Sequence, residues 1–139
     1  MQKLFPRSPY ERLGGYVHLP RLIDKARLHS KGLLNGYNYK TVGFDKHLLS
    51  FIRVDPDAFE KIANELETDE EILSWIKRNG ANHTPAEIEQ WNEAMISRHP
   101  DTAEKKARFV HFLREAGGTG RKDIRTYFDL IEFDEGRLK

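Results

Sequence analysis

The 139 residues are 38% hydrophobic and 32% charged, carry a net charge of +1 and include no cysteine. That length suits one domain able to bury a core without metal or disulfide staples, and the absence of cysteine removes thiolate nucleophiles, zinc ribbons, iron–sulfur clusters and structural disulfides. No apolar run approaches the roughly 20 residues of a membrane span, and the opening MQKLFPRSPYERLGG lacks the apolar stretch of a signal peptide, so a cytoplasmic protein with no membrane partner is expected.

Residues 1–18 hold basic and aromatic side chains without helical spacing and are expected to form an extended lead-in packed on the rest. From Leu19 onward the apolar spacing is helical. Leu19, Leu22, Ile23, Ala26 and Leu33 share one face of a first helix, with Pro20 in its first turn and Gly36 as its stop. After an extended stretch from Tyr37 to Gly43, the spacing of Phe44, Leu48, Phe51 and Ile52 predicts a short second helix. Asp55 caps a third, with Pro56 behind it and Phe59, Ile62, Ala63 and Leu66 along its stripe.

Thr68 with Glu71, and Thr84 with Glu87, have the spacing of capping boxes and open two more helices, whose apolar stripes include Trp75 and Trp91. Both tryptophans are therefore expected in the core. Asp101 with Glu104 repeats the spacing ahead of Ala103, Ala107, Val110 and Leu113, and Gly117-Gly118 ends that helix. A last helix is expected from Asp123, through Ile124, Tyr127, Phe128 and Ile131, to near Gly136. No repeat or low-complexity linker interrupts the pattern. The expected fold is all-α: a compact single domain over 1–139, built as a bundle of about six to seven short helices with an extended N-terminal segment.

Charge is unevenly placed. Residues 1–54 hold ten Lys or Arg against three Asp or Glu, a net of +7, whereas residues 55–104 hold four against thirteen, a net of −9. The pattern fits a binding surface, but two stretches of one domain that attract each other are the preferred reading, because acidic first turns of capped helices account for much of the middle block. The first forty residues contain Tyr10, Tyr16, Tyr37 and Tyr39 together with Arg7, Arg12, His18, Arg21, Lys25 and Arg27. A helix starting near Pro20 would direct its free amides toward His18 and Arg21, with Lys25 one turn on, which is a physical recipe for anion binding. Arg21, Asp24 and Lys25 lie opposite the Leu22, Ile23, Ala26 stripe. The plainer alternative is a solvated face on which Asp24 pairs with its basic neighbours.

The run RSPYERLGGYVHLPRLIDKAR, Arg7 to Arg27, followed by NGYNY, Asn35 to Tyr39, resembles the bacterial family catalogued as domain of unknown function 5069. The closing DEGR, Asp134 to Arg137, is compatible with it. The resemblance implies a small soluble prokaryotic protein and brings no catalytic residue, cofactor or activity.

No metal or cofactor is expected, because neither HExxH nor ExxH occurs and His111 with Glu115 is a lone pair beside a core stripe. Gly117, Gly118, Gly120, Arg121 and Lys122 lack the strand and the Ser or Thr of a phosphate-binding loop, and read as a helix stop with a basic connection. The leading expectation is a helical module that binds a small anionic ligand. His18, Arg21 and Lys25 would meet its charge, Tyr37 and Tyr39 would wall it, and Arg7, Glu11 and Asp24 would lie around it. The alternative is a metal-free acid/base enzyme in the same pocket, using His18 with Glu11 or Asp24. A partner-binding protein comes third, with nucleic acid disfavoured because a pI near 8.0 lies below the value of about 9 that marks dedicated nucleic-acid domains.

Overall fold

A computed structural model describes residues 5–139. Seven helices and one two-stranded hairpin are formed among the described residues, so the fold is all-α in character. Contacts cluster into two compact units, Met1–Gln90 and Trp91–Lys139, with the division falling inside a helix. Nothing in the composition of residues 85–96 announces it.

The first unit begins with the lead-in, of which the first four residues lie outside the described residues. Instead of staying extended up to His18, it turns back as a hairpin: β1 (Arg12–Leu13) pairs antiparallel with β2 (Tyr16–Val17), Arg12 opposite Val17 and Leu13 opposite Tyr16. Gly14 and Gly15 supply the two positive φ angles, 59° and 87°, that a tight two-residue turn requires. The first helix, α1 (Leu19–Ser30), ends earlier than Gly36. Gly32 takes φ 70°, and the Leu33 amide reaches back to the Leu28 carbonyl at 2.9 Å, the closing pattern of a left-handed helix stop. Leu33 therefore falls beyond the helix and is half exposed rather than on the buried stripe.

The next three helices start where their sequence signals put them. In α2 (Gly43–Ile52) the buried residues are Asp45, Leu48, Leu49 and Ile52. In α3 (Pro56–Glu65) the Asp55 carboxylate accepts the amides of Asp57 and Ala58. In α4 (Asp69–Asn79) the Thr68 hydroxyl accepts the Glu71 amide. The full reciprocal box forms at α5 (Pro85–Ile96), where the Thr84 amide donates to the Glu87 carboxylate at 2.8 Å and the Glu87 amide to the Thr84 hydroxyl at 3.1 Å. The core of this unit gathers on α1, which packs against α3 and is buried at every position from Leu19 to Ala26 except Asp24.

In the second unit two starts differ from expectation. Thr102 rather than Asp101 caps α6 (Ala103–Glu115), accepting the Lys105 amide. Thr126 rather than Asp123 caps α7 (Tyr127–Asp134), accepting the Asp129 amide. A threonine hydroxyl directly before the helix outcompetes the earlier carboxylate in both places. The core here is Phe109, Leu113 and Ile124 with Tyr127, Leu130, Phe133 and Leu138 packed around it.

Both tryptophans are only partly buried. On α5 the chain buries Asn92 and Met95 instead of centring on Trp91. On α6 the buried row narrows to Phe109 and Leu113, leaving Val110 half exposed and His111 in solvent, where its Nε2 meets Glu115 at 3.1 Å.

Gly80 follows α4 with an ordinary negative φ, so its role is space rather than conformation. A Cβ there would press on the Ile52 carbonyl oxygen, the atom that accepts the Ala81 amide at 2.6 Å. Because backbone cannot step aside as a side-chain tip can, Gly80→Ala is expected to destabilise the protein by about 2–3 kcal/mol. Gly120→Ala, with open space around it but φ 79°, is expected to cost only about 1 kcal/mol, and urea denaturation of the two variants checks the order.

Candidate functional site

The site grows from the start of α1. His18 precedes the helix with φ 71°, a left-handed conformation that a histidine adopts at a cost, and its carbonyl accepts the Leu22 amide at 2.9 Å. This places the imidazole beneath the lead-in at 1% exposure, with Nε2 2.6 Å from an Asp45 carboxylate oxygen. Lys25 reaches the same carboxylate from α1, at 3.2 and 3.4 Å, and donates to the Asn38 carbonyl at 3.0 Å. The Lys40 amide donates to the other carboxylate oxygen at 3.0 Å. Thus Asp45, in the first turn of α2, gathers three segments around one charge.

Burial by itself would push the Asp45 carboxyl up. The hydrogen bond from His18, the Lys25 ammonium and the Lys40 amide outweigh it and hold the group below the usual carboxylate range. His18 moves the other way from the usual salt-bridge case: burial lowers its pKa more than Asp45 raises it, and Lys25 and Arg21 lower it further. The imidazole is therefore neutral, donating Nε2–H to the carboxylate. One ammonium and one carboxylate then cancel in the interior, the arrangement that low dielectric favours.

Expected site residues separate into several sets. Arg21 and Lys25 are not on a solvated face: they are 2% and 6% exposed, because the lead-in and the 37–45 segment close over that side of α1. The Arg21 guanidinium donates to the Arg7 carbonyl at 3.2 Å and lies 5.7 Å from the centre of the Tyr37 ring. Asp24, expected to pair with its neighbours on α1, binds Arg7 through both oxygens at 3.0 and 3.1 Å. The same guanidinium grips Asp69 at 2.6 and 3.1 Å, which raises the Arg7 pKa further and depresses that of Asp69. Glu11 is exposed and accepts the Ser8 amide. Tyr39 binds Glu60 at 3.0 Å, and burial first, then that carboxylate, raise its phenol pKa. In the second unit the Arg121 guanidinium is taken up by Asp123 at 2.6 and 2.8 Å.

A cleft of about 360 Å³ opens beside this cluster, lined by Lys40, Thr41, Lys46, Leu49, Ser50, Arg53, Val54 and Pro56. Four of these, Lys46, Leu49, Ser50 and Arg53, lie at i, i+3, i+4 and i+7 of α2 and its end, one face of one helix. The apolar stripe dominates the sequence pattern of this helix, so the spacing of Lys46 and Arg53 is not singled out by sequence alone. Lys40 is committed to Asp57 at 2.7 Å and Glu60 at 3.2 Å. Lys46 and Arg53 make no ion pair among the described residues.

Arg53 also stands where a helix stop calls for glycine. Its φ is 55°, its amide binds the Leu49 carbonyl, and the Val54 amide binds the same carbonyl at 3.1 Å. Among the described residues, the non-glycine positions with positive φ are His18, Lys40 and Arg53. Two of them line the cleft and the third holds Asp45 behind it. No group of three or more His, Cys, Asp or Glu among the described residues is arranged to hold a metal, and no helix there is long and apolar enough to cross a membrane.

Acid should unfold this protein in two stages. Below pH about 6.5 the unfolded imidazole of residue 18 takes up a proton that the buried one refuses. The unfolded state then binds more protons, and stability falls by up to about 1.4 kcal/mol per pH unit. Near pH 4 and below, the depressed Asp45 adds a second loss, since its stabilisation is present above its unfolded pKa and disappears as pH falls through the folded one. Urea titrations between pH 7 and pH 5 are expected to show the first slope in wild type and not in His18→Asn, a residue that tolerates the left-handed position. Asp45→Asn, which strands the Lys25 ammonium, is expected to cost about 3–5 kcal/mol at pH 7.

No curated protein matches this chain. A family model described as Domain of unknown function (DUF5069) matches residues 3–137, a span that takes in the lead-in, the Asp45 cluster, the cleft and the second unit alike. By that match over nearly its whole length, the chain belongs to the DUF5069 family.

Proposed function

We propose that the protein is a cytoplasmic bacterial module that binds a small anionic ligand in the cleft on α2. The cytoplasmic setting is supported by a composition that is 32% charged and free of cysteine. The observation that carries the ligand reading is the pair of uncommitted cations, Lys46 and Arg53, one of which sits on a backbone conformation that glycine would occupy at lower cost. Unlike His18 and Lys40, Arg53 has no side-chain partner among the described residues to offset that backbone cost, which supports a role for its charge at the cleft.

The ligand is thereby moved from the face of α1 to the neighbouring face of α2. His18 and Lys25 serve it indirectly: they are sealed inside, and they fix Asp45 and through it the Lys40 backbone at the rim of the cleft, while Arg21 is buried against the Arg7 carbonyl. The acid/base alternative has less support, because His18 is 1% exposed and spends Nε2 on Asp45.

Calorimetric titration with inorganic phosphate at constant ionic strength tests the reading. Wild type is expected to bind, and Lys46→Ala with Arg53→Ala is expected to lose at least tenfold in affinity with nearly unchanged stability, since exposed charges contribute little to folding. Arg53→Gly separates use from stability. It should raise stability by about 0.5–1 kcal/mol by relieving the left-handed strain while weakening binding. Equal affinity in wild type and the double variant would refute an anion site at this cleft.

A further inference from the structure

We infer that the cleft takes an amphiphilic acid, an oxyanion head on a short hydrocarbon body, rather than a bare inorganic ion or a sugar phosphate. The inference rests on the anion-binding reading and specifies its ligand class.

The cleft is two-sided in chemistry. Its cations, Lys46 and Arg53, come from exposed positions of α2 and its end, whereas Leu49, Val54 and Pro56 supply apolar surface from buried or partly buried positions. Leu49 is 3% and Val54 7% exposed, so both are held by the core and cannot turn a different face to the ligand. Among the described residues, the neutral polar side chains lining the cleft are the hydroxyls of Thr41 and Ser50. A sugar or a polyphosphate brings many groups that must keep hydrogen bonds, and two hydroxyls beside an apolar surface cannot replace the water they would lose. An acid with an alkyl or aryl body asks for what is present: cations for the head and apolar contact for the body. The size agrees, since a volume of about 360 Å³ lies at the small end of ligand pockets and matches a short body. Lys46 and Arg53 also offer methylene stems that can flank the body while their charged ends meet the head.

The test is an affinity series on the full chain, followed by calorimetry or by amide NMR shifts of Ser50, Arg53 and Val54, with acetate, butyrate, hexanoate and inorganic phosphate at matched ionic strength. Full burial of a methylene strengthens binding roughly fourfold, so an open cleft covering one side of the chain should give about twofold per methylene from acetate to hexanoate. Lys46→Ala with Arg53→Ala should weaken every acid about tenfold. Val54→Thr, which keeps the shape and replaces a methyl with a hydroxyl, should flatten the chain-length slope, weakening hexanoate more than acetate. If all carboxylates and phosphate bind alike and depend on Lys46 and Arg53, the amphiphile is overturned and the anion site stands. If no anion distinguishes wild type from the double variant, the anion site itself fails, and the inference with it. Binding to anionic phospholipid vesicles without binding to the free acids would overturn the inference in favour of a lipid headgroup.

Discussion

A carboxylate with 1% exposure, held by one ammonium, one imidazole and one backbone amide, is the constraint on which the first unit is organised. Burying an ion costs several kcal/mol, and the cost is offset only when the partners sit in good geometry. Asp45 therefore demands that four stretches of chain arrive together: the end of the hairpin at His18, α1 at Lys25, the 37–40 segment, and the first turn of α2. The left-handed backbone at His18 and at Lys40 is tolerated because the carboxylate fixes both residues from outside their own segments.

Covering α1 on nearly every side follows from the same constraint. A helix with Arg21 and Lys25 buried needs acceptors on the side that would otherwise face water, and the lead-in and the 37–45 segment supply them as the Arg7 and Asn38 carbonyls and the Asp45 carboxylate. Arg7 then ties the lead-in to both α1 and α4 through Asp24 and Asp69, so the N-terminal segment is a structural cover stapled by one doubly bidentate guanidinium. The strongly basic character of residues 1–54 is partly consumed in this way, inside the fold. What remains exposed and uncommitted on the cleft is Lys46 and Arg53, and α2 carries both the buried anion on one face and these cations on another. The helix thus links the internal charge cluster to the candidate binding surface.

Local signals were legible to the degree that their physics is local. Asp55, Thr68 and Thr84 cap the helices their spacing predicts, because a side-chain oxygen and an amide two or three residues away need no distant partner. Gly14-Gly15 turns the lead-in back on itself through two positive φ angles, which a glycine pair adopts without distant partners. Where two caps competed, at Asp101 with Thr102 and at Asp123 ahead of Thr126, the choice depended on which residue the packed helix reached first, and spacing alone picked the wrong one. Trp91 and Val110 were misassigned for a related reason: an apolar stripe shows which face of a helix is available for burial, while its neighbours decide how much of that face is covered.

The sequence by itself determined the helical class, most helix starts, the absence of thiol chemistry and the concentration of basic and aromatic residues near the N-terminus, since each follows from composition or from contacts within one turn. Only the tertiary structure decided which cations are buried and which are free. Asp45 stands 20 residues from Lys25 and 27 from His18, and the acids that hold Arg7 stand 17 and 62 residues away. No periodicity encodes pairings at such separations. Charge in a protein is neutralised by whatever comes near in space, so the sign of a residue is written in the chain, and its exposure is settled only when the chain has closed over it.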